Sequence, residues 1–141
     1  MAASAYLVYN EAKKYLLTGV IDLDTSTLST HLYKGSSNAS TFTLSTLASV
    51  TVKASGGYSG AHNLGTVVVT AGASAKQMKF DAADLVFTAS GANIGSVLYH
   101  VIGISGSKAL CWSKLSSAAF TVTDGNTLTI AFHASGIFTL T

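Results

Sequence analysis

The sequence predicts a mainly β protein, an antiparallel β-sandwich of jelly-roll-like form with a short N-terminal α-helix, occupying residues 1–141 as one domain. Three observations lead there. The chain has 141 residues, room for one hydrophobic core but not for two independent ones. Many short segments of β-branched and aromatic residues follow one another, separated by Gly-, Ser- and Asn-containing turns. Only the first segment carries its apolar residues at helical spacing.

In that segment, from about Ser4 to Leu17, the residues Ala5, Val8, Ala12, Tyr15 and Leu16 recur on one helical stripe, while Asn10, Glu11, Lys13 and Lys14 fall largely outside it. Gly19 stands where a helix end needs a residue that tolerates positive φ. Beyond Ile21-Asp22-Leu23-Asp24 the period becomes two, with Leu28, Thr30 and Leu32 on one face and Ser29, His31 and Tyr33 on the other, which is a strand. Residues 35–40 read as a loop, and 41–52 fit either a strand or a short helix around 44–50. From Ser55 to Gly65 the glycines, with Tyr58, His62 and Asn63 among them, predict a long irregular loop of the kind that is often functional in compact domains. Further strands are expected at 66–70, 76–80, 85–88, 96–104, 109–114, 118–123, 127–133 and 137–140, with Asp124-Gly125-Asn126 as a hairpin turn.

The segment Val97-Leu98-Tyr99-His100-Val101-Ile102-Gly103-Ile104 is apolar on both alternating faces. A sandwich strand meets the core on one side only, so the terminal helix, a loop or another subunit must cover the second side. Proline is absent and charge is scarce, which removes two devices that keep sheet edges from pairing; neighbouring chains are therefore candidates to occupy those edges.

Charged residues make up 10% of the chain, against about 25% in an average soluble domain, and Ser and Thr supply most of the polarity. Such a surface suits a permanent interface. The net charge of +2 comes from eight scattered lysines and no arginine, of which only Lys13 and Lys14 are adjacent. Specific nucleic-acid binding needs a clustered, usually arginine-bearing surface and is not expected. Cys111 is the only cysteine, so no intrachain disulfide forms; between Leu110 and Trp112 it reads as a small core residue, with a reactive thiol as the sharper alternative. Residues 1–6 lack the features of a secretory signal, and no run approaches the ~18 apolar residues of a membrane span. The four histidines show no metal-ligand spacing, and the pairs Asp22/Asp24 and Asp81/Asp84 read as turn formers. Asn38-Ala39-Ser40 has the spelling of a glycosylation sequon only. No nucleophile elbow, phosphate loop or dinucleotide fingerprint occurs, so neither an enzyme nor a cofactor is expected.

Three stretches carry a resemblance: Glu11 to Thr25 with its Ile21-Asp22-Leu23-Asp24-Thr25, Phe80-Asp81-Ala82-Ala83-Asp84-Leu85-Val86-Phe87, and Ile130 to Leu140 with Ala134-Ser135-Gly136-Ile137-Phe138-Thr139-Leu140. In this order they resemble a family of small virion structural proteins of tailed bacteriophages, whose members open with a helix leading into "IDLDT", carry "FDADDV.W" midway and close on "ASGI.TL". Ala83 departs from the acidic residue and Phe87 from the aromatic of the middle motif. The resemblance implies a capsid decoration or cement protein, a head-fibre base, or a tail or baseplate component. Decoration is the preferred expectation, with the assembled lattice of the major capsid protein and copies of the chain itself, as a trimer, for partners, and with the virion as destination after synthesis in the bacterial cytoplasm. Tyr6, Tyr9, Tyr58, His62, Leu98 and His100 are the candidate interface residues. The competing expectation is a carbohydrate- or receptor-binding module built on Tyr58, His62 and Trp112, which an exposed aromatic shelf would mark; a broad apolar patch would mark cementing instead.

Overall fold

A computed structural model describes residues 3–58 and 60–141. It is mainly β, as the patterning predicts: eleven strands are described, with one helix of eight residues and one 3-10 turn. The long central strand β7 (Ile94–Ile104) is hydrogen-bonded to β2 (Leu28–Lys34) on one side and to β8 (Ala109–Lys114) and β9 (Phe120–Val122) on the other. Short strands β1 (Leu7–Val8) and β3 (His62–Asn63) extend this antiparallel sheet at its two edges, in the order β1-β8-β7-β2-β3. A second layer consists of two small antiparallel sheets. One pairs β6 (Leu85–Thr88) with β10 (Thr127–Ile130), and the other runs β11 (Phe138–Leu140), β5 (Met78–Asp81), β4 (Val68–Ala71).

The register explains how the doubly apolar strand is accommodated. Thr30 lies opposite Ile102 and Leu32 opposite His100, while Cys111 pairs with Ile102 and Ser113 with His100, so these residues share one face. That face meets the second layer, where Leu85, Phe87, Leu128, Ile130, Phe80 and Phe138 enter the same core. The opposite face carries His31, Tyr33, Val101, Gly103 and Trp112. The chain itself covers it, with the segment between β2 and β3. Phe42 lies edge-on to Trp112, Tyr99 contacts Trp112 from its own sheet, and Leu47, Val50 and Ala54 are buried. Backbone bonds sew this cover down: Leu47 N–H to Ser107 O, Ala109 N–H to Ser45 O, and Ala54 N–H to Leu32 O. Gly103 permits the close approach, since a Cβ there would sit 2.4 Å from the Lys108 carbonyl oxygen and 2.8 Å from Leu47. Of the covers weighed for this strand, the structure uses the loop.

Several boundaries differ from expectation. The helix α1 spans Asn10–Leu17, not 4–17, because residues before it are drawn into the sheet: Leu7 and Val8 pair with Trp112 and Cys111, and Tyr9 N–H bonds Leu110 O. Its C-terminus is a Schellman cap. Gly19 N–H bonds Leu16 O and Val20 N–H bonds Tyr15 O, with Gly19 at φ +71°. The ambiguous 41–52 segment is neither strand nor helix but an irregular cover containing the 3-10 turn Leu47–Ser49, capped by the Thr46 hydroxyl. Asn38 is a fastener of this cover, accepting from Thr51 N–H and donating to Ser49 O. The turn at 124–126 forms, with Asn126 N–H bonded to Thr123 O, but β9 and β10 belong to different sheets, so it is a corner between layers and not a hairpin. The glycine-rich loop contributes the short strand β3; its Ser59 lies outside the described residues.

Trp112 is 8% exposed, beside the fully buried Cys111. Truncating a buried indole removes both its transfer energy and its packing partners, so Trp112→Ala is expected to lower stability by about 3–5 kcal/mol, read as a fall in the urea midpoint. An unchanged midpoint would show that the cover over this face contributes little.

Candidate functional site

The expected interface residues divide into two groups. Tyr6, Tyr9 and His100 are buried inside the domain and Leu98 is 9% exposed beneath the Gly35 turn, so in this conformation they offer no contact surface. Period and composition marked them as apolar but could not say which side of the chain would cover them. Tyr9 is spent on the cover segment, its hydroxyl donating to Ala39 O at 2.6 Å. Tyr58 and His62 are half-buried and border an open groove of about 430 Å³, with Gly56, Gly57, Val86, Thr88 and Ser90 as its other walls.

Four of the six lie on one aromatic chain between the layers, which runs from the buried Tyr6 and His100 to the half-buried His62 and Tyr58. The Tyr6 hydroxyl is hydrogen-bonded to His100 Nδ1; the His100 ring contacts Phe87 at 6.0 Å, Phe87 contacts His62 at 4.5 Å, and Tyr58 stacks on His62. Phe132 closes the cluster over Tyr6 and His100. Burial, with a smaller contribution from His31, pushes His100 down to about 3, and burial, Lys53 and His62 push His31 down to about 4. Both imidazoles are therefore neutral in the folded chain at neutral pH. Burial holds the phenols of Tyr6, Tyr9 and Tyr33 well above their ordinary value, and it raises the Cys111 thiol likewise. With no exposure, Cys111 is a packing residue and not a nucleophile.

The acidic residues serve local structure. Asp22 accepts from Asp24 and Thr25 N–H, Asp81 accepts from Ala82 N–H and pairs with Lys79 at 3.1 Å, and Asp84 accepts from Phe132 N–H. Among the described residues no group of three or more His, Cys, Asp or Glu could hold a metal ion, and no helix is long and apolar enough to cross a membrane.

The surface feature that sequence reasoning missed is an apolar groove of about 540 Å³ lined by Leu16, Ile21, Leu23, Val69 and Leu140, with Asp22 and Asp24 at its rim. Around it stand Leu17, 89% exposed, and Val20, Met78 and Leu140, each about half exposed. The sheet geometry produces this exposure. Val69, Phe80 and Phe138 form one cross-strand row and Ala71, Met78 and Leu140 the next on the same face; the first row is anchored by the buried Phe80 and Phe138, while the second overhangs the body. Two of the three stretches that carry the sequence resemblance line it, and the middle one adjoins through its pairing with β11. Residues 21–24 and Leu140 line the groove, and Phe80, from the middle stretch, pairs with Phe138 while its carbonyl accepts from Ile137 N–H at 2.8 Å. A faint signal was present in Val67-Val68-Val69 and Leu16-Leu17, apolar runs longer than one buried face needs.

Comparison of the chain with protein-family models, curated proteins and solved structures returns no match.

The neutral histidines fix a pH dependence. An unfolded histidine takes up its proton near 6.5, whereas His100 resists until about 3, so acid favours the unfolded chain throughout that interval. Lowering the pH from 7.5 to 5 is expected to remove about 2 kcal/mol of stability through His100 alone, with His31 acting in the same direction above about 4. Urea unfolding at the two pH values measures this; equal stability at both would mean that the histidines are hydrated and not sealed between the layers.

Proposed function

We propose that this chain is a structural subunit of a tailed-phage virion, and that it acts as a decoration protein which reinforces the assembled head. The observation that carries this reading is the apolar groove at Leu16, Val69 and Leu140, ringed by Leu17, Val20 and Met78, which the first and last of the family-like stretches line. Large apolar side chains clustered at one end of an otherwise well-buried domain mark a contact with another macromolecule. The charge-poor surface supports the same reading, since dewetting it costs little.

A lattice offers composite sites at junctions between subunits, and many copies of a modest contact reinforce a shell through multivalency. The partner is accordingly the lattice and not the isolated capsid subunit, with the end of α1 and the β4-β5-β11 sheet as the docking face. The glycan-binding alternative needs an exposed aromatic shelf. Tyr58 is half-buried with its hydroxyl directed to Leu32 O at 3.4 Å, and Trp112 lies on the opposite face of the central sheet, so the two do not form one.

Shells that lack the chain are expected to take it up from solution and to resist heat better once loaded. Leu17→Lys replaces an exposed side chain in the last helical turn, where a cation suits the helix dipole, and leaves the fold intact; it is expected to weaken uptake about tenfold or more, equivalent to about 1.4 kcal/mol. Binding to isolated tails or baseplates but not to shells would move the chain elsewhere in the virion, and binding to neither would end the virion reading.

A further inference from the structure

Strand β4 is the open edge of its sheet, and we infer that it pairs antiparallel with β4 of a second copy about a two-fold axis through Thr70. All four residues, Val68 to Ala71, are exposed, and the edge carries none of the usual blocks: no proline, no charge and no register break. The phase of the ladder determines which groups it offers. Gly72 N–H bonds Gln77 O beside the turn, and antiparallel bonding alternates along a strand, so the N–H and C=O of Val69 and Ala71 point away from β5. The opposite side of β5 agrees, since Phe80, the partner of Val69, gives its carbonyl to Ile137 on β11.

Two such edges are complementary in one register. Opposing Val69 of one copy with Ala71 of the other satisfies the outward amides of both residues and brings the two Thr70 side chains face to face as a non-hydrogen-bonded pair, an arrangement in which Thr–Thr contacts are favourable. The apolar rows then run on across the junction, Val69 and Ala71 of each copy beside those of the other. Charge supports antiparallel pairing over parallel. Lys76 lies on the exposed turn at one end of the β4–β5 hairpin, and Asp81 and Asp84 lie at the other, so antiparallel copies set basic end against acidic end. Lys79, next to Thr70 in the row, is already paired with Asp81. It would stand about 14 Å from its counterpart across three strand spacings, beyond the screening length of about 8–10 Å. A stable contact needs about 800 Å² from each partner, roughly one-eighth of what the chain exposes. Because the contact is isologous, it uses both β4 edges and stops at two copies.

The pairing does not depend on the virion reading, and shell uptake can fail while it stands. Sedimentation equilibrium of the full chain is expected to show a dimer. Thr70→Glu sets like charges opposite each other on the axis while facing Lys79 within its own sheet, and is expected to raise the dissociation constant about tenfold or more, leaving the circular dichroism spectrum unchanged. Thr70→Cys is expected to form a linked dimer on mild oxidation, since opposed residues of this kind have Cα atoms about 4.5 Å apart, within the span of a disulfide. A monomer at the highest soluble concentration, or a particle of any size in which Thr70→Cys forms no link, would overturn the inference.

Discussion

The structure is organised around the requirement that strand β7 be dry on both faces. Val97, Val101 and Ile102 have no solvent exposure, nor has His100 among them, so a conventional two-layer packing would leave half of these side chains in water. The segment between β2 and β3 resolves this by folding over the outer face as a third, irregular layer. The layer is held by bonds within itself, such as those of Asn38 to Thr51 and Ser49, and by bonds to the central sheet through Ser45, Ala54 and the Tyr33–Lys53 bridge. Irregular backbone can lie over a buried sheet only if its polar groups find partners, and Leu32 and Lys34 of β2, Ser96 of β7 and Ala109 of β8 supply some of them. Other features answer to the same requirement: the side chain missing at Gly103, the fully buried Tyr9 and the polar residues Ser29, Thr30 and His31 enclosed along β2.

The interior and the surface follow opposite rules. Inside, burial holds Tyr6, His100 and Tyr58 neutral, and an aromatic chain from Tyr6 to Tyr58 ties the central sheet to the second layer. Outside, apolar side chains gather where the small β4-β5-β11 sheet projects past the body. Others, such as Leu7, Phe42, Val52 and Val86, are exposed elsewhere, but the group beside the helix end lines one groove within reach of an open strand edge.

Much of the secondary structure was legible because it has a period. Alternation located β2, short apolar segments between turn residues located β6 and β8, the doubly apolar run located β7, and Gly19 located the helix end through its backbone conformation. Elements too short to show a period were hidden. Leu7–Val8 is a strand only because β8 leaves an edge for it, and His62–Asn63 only because β2 does. Three of the candidate contact residues proved buried for a related reason. Tyr6, Tyr9 and His100 are amphipathic residues of a kind that serve equally in cores and interfaces, and their assignment to the core depends on long-range partners such as Phe132 and Ala39. The exposed row of Ala71, Met78 and Leu140 is assembled from three separate strands, so no window of sequence contains it.

The edge strand β1 also sets the order in which the chain can fold. The Tyr6 hydroxyl finds His100 across 94 positions, and the Ser113 hydroxyl finds the Ser4 carbonyl across 109. The segment leading into β1 is thus joined to partners about a hundred positions away. Contacts of such separation carry a large loop-closure cost before they return any stabilisation, which places the protein among slow-folding topologies. Until such contacts close, the central strand β7 is largely apolar, without acidic or lysine residues and without proline, a composition prone to pair with a neighbouring chain. The hazard belongs to the interval before these strands are covered and ends once the domain has closed.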